Sequence, residues 1–280
     1  MAVPEHAVAS LDLLGLRDHS DGTERSTSFD LPVTHRLCTP FGFLYGGSGI
    51  AASIEASERA TGRPIQWITT QFLGSPAPGD TVEISVDIAV SGRSTSQTRV
   101  DATVGDTTVI SSLAAHNVRP DGDERGFRPM PDVPAPADSP RFAELFQRDT
   151  SGSFFDHFER RVAAGSFGES AHGAPQTGTL ALWCRIVDDT IGTAASQGFV
   201  ADFGPLAVCA ALGMAPGGTS LDNTLRIVDT RPTDWVLVEV EADGFSRSVG
   251  HSTARLWSQD GRLMSIAQQS AIIRTSHHRR

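Results

Sequence analysis

Residues 78–94 recur, without a gap, at 232–248. Pro78 aligns with Pro232, Asp80 with Asp234, Val82 with Val236, Val86 with Val240, Arg93 with Arg247 and Ser94 with Ser248. These are six identities in 17 positions at an offset of 154 residues. Self-similarity at one fixed offset marks a duplicated structural unit. The chain must therefore fold as two copies of one plan, and its 280 residues suit two units of ordinary domain size.

Within each copy the hydrophobic period changes from helical to extended. Gly46–Ala60 is rich in Ala, Ser and Gly and predicts a helix. Thr81–Val90 alternates strictly, with Val82, Ile84, Val86, Ile88 and Val90 on one face, which predicts a strand with one buried side. Ser94–Val104 and Thr107–Asn117 read as two further strands. In the second copy Phe199–Leu212 predicts one helix, with Phe199, Phe203, Leu206 and Ala210 along one face. Strands follow at Ser220–Val228, Trp235–Ala242, Gly250–Ser258 and Leu263–Arg274, and Asp260-Gly261 is a hairpin signal between the last two. Gln268 shares strand parity with Met264, Ile266 and Ile272. One helix followed by a run of antiparallel strands, twice over, is an α+β plan in which a curved sheet wraps each helix.

Between the copies, Val118–Pro140 is dense in proline, which removes backbone donors and fixes φ. The expected division is an N-terminal domain over 1–118, a Pro-rich linker over 119–150 and a C-terminal domain over 151–280.

The net charge of −10 argues against nucleic acid as a partner, since phosphate neutralisation needs a basic face. The chain contains no lysine, so Schiff-base chemistry and a P-loop lysine are excluded. Cys38, Cys184 and Cys209 are odd in number and lack metal-ligand spacing, which suits buried thiols in a reducing compartment. No apolar run is long enough to cross a membrane, and the N-terminus lacks signal-peptide character. A cytoplasmic location is expected.

Several short stretches resemble the acyl-CoA thioesterase II family, the TesB-like double-hotdog thioesterases. They are Phe43-Leu44-Tyr45-Gly46-Gly47, Gln71-Phe72-Leu73 with Pro78-Gly79-Asp80, and Gly92-Arg93-Ser94 with Arg99. In the second half they are Thr219-Ser220-Leu221-Asp222-Asn223, Asp234-Trp235, and Asp260-Gly261-Arg262-Leu263 leading to Gln268. The resemblance implies a tandem double hotdog that hydrolyses acyl-CoA to free acid and coenzyme A. It implies no cofactor, coenzyme A being part of the substrate, and a homodimer or higher even oligomer. It also implies a water held by an Asp–Thr/Ser–Gln trio, which by position falls on Asp202, Ser220 and Gln268. At the repeat offset the N-terminal copy has Ser48, Gln66 and, with one insertion, Leu113 at these places, so one working site per chain is expected.

Thioester hydrolysis needs a base for water and donors for the developing oxyanion. Asp202, flanked by Phe199, Phe203 and Leu206, should be partly desolvated, which raises its pKa toward the working range of a base. Gly46 and Gly47, at the start of the first helix, offer backbone N–H groups that a substrate can approach closely. Phe199, Phe203 and Trp183 are expected to line the acyl pocket. The competing expectations are a non-hydrolytic acyl-thioester binding protein and a hotdog hydratase. The hydratase needs an Asp–His pair ahead of a helix, and neither helix begins with one. Arg93 and Arg247, matched by the repeat, are expected to share a structural role, with coenzyme A phosphates as the alternative.

Overall fold

A computed structural model describes residues 11–19, 26–119, 125–142, 150–165, 178–187, 189–214 and 217–274. The first half contains β1 (Arg17–Asp18), β2 (Ser26–Pro32), α1 (Gly46–Thr61), β3 (Ile65–Phe72), β4 (Thr81–Ser91), β5 (Thr95–Val104) and β6 (Thr107–Asn117). The second contains β7 (Phe158–Ala164), β8 (Thr179–Ile186), α2 (Ala194–Val200), α3 (Gly204–Ala211), β9 (Thr219–Ile227), β10 (Val236–Ser246), β11 (Val249–Ser258) and β12 (Leu263–Ile272). The strands form one 12-stranded sheet in the order β1-β2-β4-β5-β6-β3-β9-β12-β11-β10-β8-β7. Read from either end toward the middle, the two halves have the same order. This is the tandem double hotdog.

The seam is the antiparallel pair β3–β9, where Thr69 faces Thr224 and their hydroxyls lie 3.0 Å apart. Pairing these two strands uses up an edge of each half that would otherwise present unpaired backbone groups. The helices lie against the sheet, and buried residues from both halves form one continuous hydrophobic cluster. Small side chains permit the approach. A methyl group at Gly198 of α2 would stand 2.9 Å from both Ile50 and Ile54 of α1, so the two helices touch closely there. At the far end of α1 the chain leaves through Gly62, at φ 64°, whose N–H bonds Glu58 O.

The second helix departs from expectation. Instead of one helix over Phe199–Leu212 there are two, α2 and α3, broken at Ala201-Asp202-Phe203. Pro205 is the cause. It has no N–H for the carbonyl of Ala201, and its ring is tolerated only in a helix's first turn. The stranded groups find other partners. Asn223 Nδ2 donates to Ala201 O at 3.3 Å, and Gly204 N–H donates to Gln269 Oε1 at 3.0 Å.

The part of the Pro-rich stretch around residues 130–134 lies over the outer face of the second half of the sheet. Met130 and Val133 pack on a cluster of Ala181, Trp183, Leu237 and Trp257, and Trp183 Nε1 donates to Pro134 O at 2.8 Å. Trp183 therefore belongs to this outer cluster and does not line a pocket. On β8 the inward positions are Leu180, Leu182, Cys184 and Ile186, so Trp183 has the other parity. Arg93 and Arg247 are both exposed, each in the tight hairpin turn of its own half. Arg247 and Ser248 hold φ of 52° and 63°, the left-handed pair that a two-residue hairpin turn requires. No helix among the described residues is long and apolar enough to cross a membrane.

Ile54 is fully buried in α1 at its contact with α2. Ile54→Ala should lower the unfolding free energy by about 2–5 kcal/mol in urea denaturation, the usual cost of such a truncation in a core. A change near zero would mean the two helices do not pack there.

Candidate active site

The break between α2 and α3 puts Asp202 outside either helix and aims its side chain across the molecule at the N-terminus of α1. Ser220 Oγ donates to Asp202 Oδ1 at 3.1 Å. Gln269 Nε2 donates to the same oxygen and to Ser220 Oγ, the latter at 2.8 Å. Gln269 Oε1 accepts from Gly204 N–H, which fixes the amide with its NH2 group toward the carboxylate. On the other side, the Gly47 N–H reaches the Asp202 carboxylate. A Cβ at Gly46 would overlap Asp202 Oδ2, so only glycine lets the helix end come this close.

Two local features of the sheet present these side chains. On β12 the inward positions are Ser265, Ala267, Gln269 and Ala271. Gln268, the amide expected from the sequence, is exposed on the opposite face. Its neighbour Gln269, 5% exposed, meets Asp202 instead. Parity misleads here because the face against the helix carries small residues, whereas the larger Ile266 and Ile272 lie on the other face and are only partly buried. On β9 the register to β12 skips Leu221, with Asp222 opposite Ser270 and Ser220 opposite Ala271. This bulge turns Ser220 to the same side as Asn223 and Leu225. Bulges of this kind commonly re-aim a side chain beside a functional site.

Asp202 opens onto a cavity of about 190 Å³. Its lining includes Phe41, Phe43, Tyr45, Gly46, Phe72, Phe142, Phe154, Phe155, Arg160, Phe203, Leu206 and Ser220. Burial, the dominant influence, pushes the Asp202 carboxyl up to about 6, against the downward pull of its bonds to Gln269, Ser220 and Gly47. The phenol of Tyr45 is pushed well above its usual range, first by burial and then by the Asp202 charge. Tyr45 stacks on Phe154 at 3.8 Å and meets Phe199 edge-on at 5.7 Å.

Of the expected pocket residues, Gly46 and Phe203 line the cavity. Phe199 does not: it is wholly buried between Tyr45 and Phe158, whose ring stacks on it at 4.8 Å. Gly47 sits one residue behind the lining, with its N–H toward Asp202. In the N-terminal half, Ser48 occupies the place matching Asp202 and its hydroxyl donates to Leu37 O at 3.0 Å. The aromatic wall of Phe142, Phe154 and Phe155, together with Arg160, was not anticipated. Phe158-Glu159-Arg160-Arg161-Val162 carries a signal for the last of these, since strand alternation places Arg160 inward between Phe158 and Val162.

Comparison with known proteins gives a consistent result. Residues 35–116 match the family model described as the acyl-CoA thioesterase N-terminal domain, and residues 129–273 the acyl-CoA thioesterase C-terminal domain. No curated protein matches the chain. Among solved structures, a putative thioesterase from Novosphingobium aromaticivorans is 28% identical with a TM-score of 0.80, over 91% of this chain and 97% of that one. A hot dog fold protein of unknown function from Alicyclobacillus acidocaldarius is 22% identical with a TM-score of 0.79, over 92% and 96%. The tesB protein of Mycobacterium avium subspecies paratuberculosis is 19% identical with a TM-score of 0.73, over 95% and 98%. At these lower identities the likeness speaks to the fold. With both domain models matched in order and the longer spanning more than half its length, this chain belongs to the acyl-CoA thioesterase family, in its TesB-like, double-hotdog form.

Proposed function

We propose that this acyl-CoA thioesterase hydrolyses its substrate with a water activated by Asp202 and oriented by Ser220 and Gln269. The observation that carries the reading is the convergence of Ser220 Oγ and Gln269 Nε2 on one oxygen of a buried carboxylate, beside a glycine helix N-terminus. Asp202 takes a proton from water as the oxygen attacks the thioester carbonyl. The negative charge that develops on the carbonyl oxygen falls at the positive end of α1, where the first-turn N–H of Gly46 is the available donor. The carbonyl re-forms, the carbon–sulfur bond breaks, and the thiolate of coenzyme A takes up the proton. The chemistry uses only water and these side chains, with coenzyme A entering as part of the substrate.

Domain division at 1–118, 119–150 and 151–280 goes with this reading, and so does a cytoplasmic location. The site draws Gly46 and Tyr45 from the first domain and its trio from the second. A homodimer or higher even assembly is the accompanying expectation. Light scattering on eluting protein checks it, and a mass of one chain would refute it.

Thiol release from an acyl-CoA panel tests the site. Asp202→Asn should lower kcat by about 10²–10⁴-fold and Gln269→Ala by about 10²-fold. Gln268→Ala, on the outer face, should stay within a few-fold of wild type. Equal losses at Gln268 and Gln269 would sink the assignment. Gly46→Ala adds a better helix former at a half-buried helix start yet displaces the carboxylate. It should keep the protein folded and lower kcat at least as far as Gln269→Ala. Wild-type protein that binds acyl-CoA without hydrolysing any member of the panel would point to a binding protein on the same scaffold.

The pH profile provides a separate check. Asp202 must be ionised to act as a base, and its pKa lies near 6. The free-enzyme parameter kcat/KM should therefore rise about tenfold per pH unit up to about 6 and level off above it. The residual activity of Asp202→Asn should lack that limb. A profile with no inflection between about 5 and 7 would remove Asp202 from the role of base.

A further inference from the structure

β7 alternates so that Phe158, Arg160 and Val162 turn inward while Glu159 and Arg161 turn outward. Arg160 is 8% exposed, and its Nε and Nη1 are buried without a hydrogen-bond partner. The guanidinium carbon lies 3.7 Å from the centre of the Phe155 ring and 4.3 Å from that of Phe142. The adjacent acid, Glu159, is committed on the opposite face, where it holds Arg161 and Arg185. No acid among the described residues pairs with Arg160. Two aromatic faces recover part of the cost of burying a cation, but they satisfy none of its N–H donors, and an unpaired buried charge is among the most unfavourable groups a core can hold.

This charge is also permanent at neutral pH. Burial brings the guanidinium down only to about 10. Arg160 is the only cation among the described residues that line the Asp202 cavity. The Tyr45 phenol lies close enough to interact electrostatically with both Asp202 and Arg160. The cavity thus holds one carboxylate and one guanidinium, both near the Tyr45 phenol, in a lining rich in phenyl rings.

We propose that Arg160 is a specificity residue, and that the acyl group this enzyme prefers carries a carboxylate that pairs with it inside the cavity. The proposal rests on the thioesterase reading above. A carboxylate matches the guanidinium fork in shape and offsets a single charge. The phosphates of coenzyme A are multiply charged and strongly hydrated, and fit exposed arginines better than one guanidinium packed against two phenyl rings in a half-enclosed cavity. An alkyl chain alone would leave the charge unpaired in the complex, so methyl-ended substrates should be the poorer ones.

The test is kcat/KM for CoA mono-thioesters of straight-chain dicarboxylic acids against monocarboxylic CoA thioesters of equal carbon number, over a series of rising length. Wild type should favour the carboxylated member by about tenfold or more at one or more lengths. Arg160→Met, which keeps the volume, should reduce that ratio about tenfold, and Arg160→Lys, which keeps the charge, should restore part of it. A wild-type enzyme that prefers the methyl-ended thioester at every length would overturn the proposal, even if neither variant folds. So would an Arg160→Met protein that loses both classes equally, which is the result expected of a structural residue or a coenzyme A contact. If wild type hydrolyses neither class, the thioesterase reading has failed instead. Calorimetric binding of the same two series then decides the role of Arg160 alone: a carboxylate preference lost in Arg160→Met upholds it, and equal binding refutes it.

Discussion

The missing N–H of Pro205 is the constraint on which the site depends. A continuous helix through residues 199–212 would bond Ala201 O and Gly204 N–H internally and would turn Asp202 along its own surface. With proline in place the helix stops, and both groups look outward for partners. Asn223 takes the carbonyl and Gln269 takes the N–H. The second of these bonds also orients the amide whose other end meets Asp202. One backbone interruption therefore does two jobs: it releases the carboxylate and it locks the residue that holds it. A side chain at Gly204 would crowd Gln269 and Ser252, so the glycine before the proline serves the same arrangement.

The proposed site lies between the halves. Asp202, Ser220 and Gln269 come from the second, and the N-terminus of α1 from the first. The contact is close enough that a single methyl group at Gly46 would obstruct it. The N-terminal half has no carboxylate of its own at the matching place, where Ser48 ties down a backbone carbonyl. Its contribution is the dipole of α1, the Tyr45 ring and part of the aromatic wall. The seam strands β3 and β9 hold these parts in register, because they join the two sheets into one.

Much of the fold was legible because alternation and duplication are properties of sequence alone. Val82, Val86, Val236 and Val240 announce two buried strand faces, and the strands found there agree to within a residue or two at most ends. The double-hotdog plan follows from the repeated order. Two of the failures, at Gln268 and Trp183, share one origin, which is that side-chain size is a poor guide to which strand face is the core where a helix lies close against a sheet. The resemblance falls by position on Gln268, whose strand parity with Ile266 and Ile272 suggests the core face, whereas Ser265, Ala267, Gln269 and Ala271 form it. Trp183 looked like a pocket residue but packs outward under the Pro-rich strap. The bulge at Leu221 has no sequence signal here, because it is a property of pairing between two strands. Pro205 was a readable helix breaker; only the regular spacing of Phe199, Phe203 and Leu206 concealed it. Arg160 was readable from strand parity, and became informative once its ring neighbours and missing partner were known.

The seam has an evolutionary consequence. In a dimer of two identical hotdog chains, every substitution is made twice, so a residue that helps at one copy of the site must be tolerated at its twin. Here the β3–β9 pair joins two non-identical partners within a single polypeptide. That frees each half to change alone. The second can keep a proline that breaks its helix while α1 runs unbroken for 16 residues. The first can keep a bare glycine entrance that would be useless opposite another like it. Fusion thus converts a symmetric container into a directional one, with acid on one wall and helix end on the other.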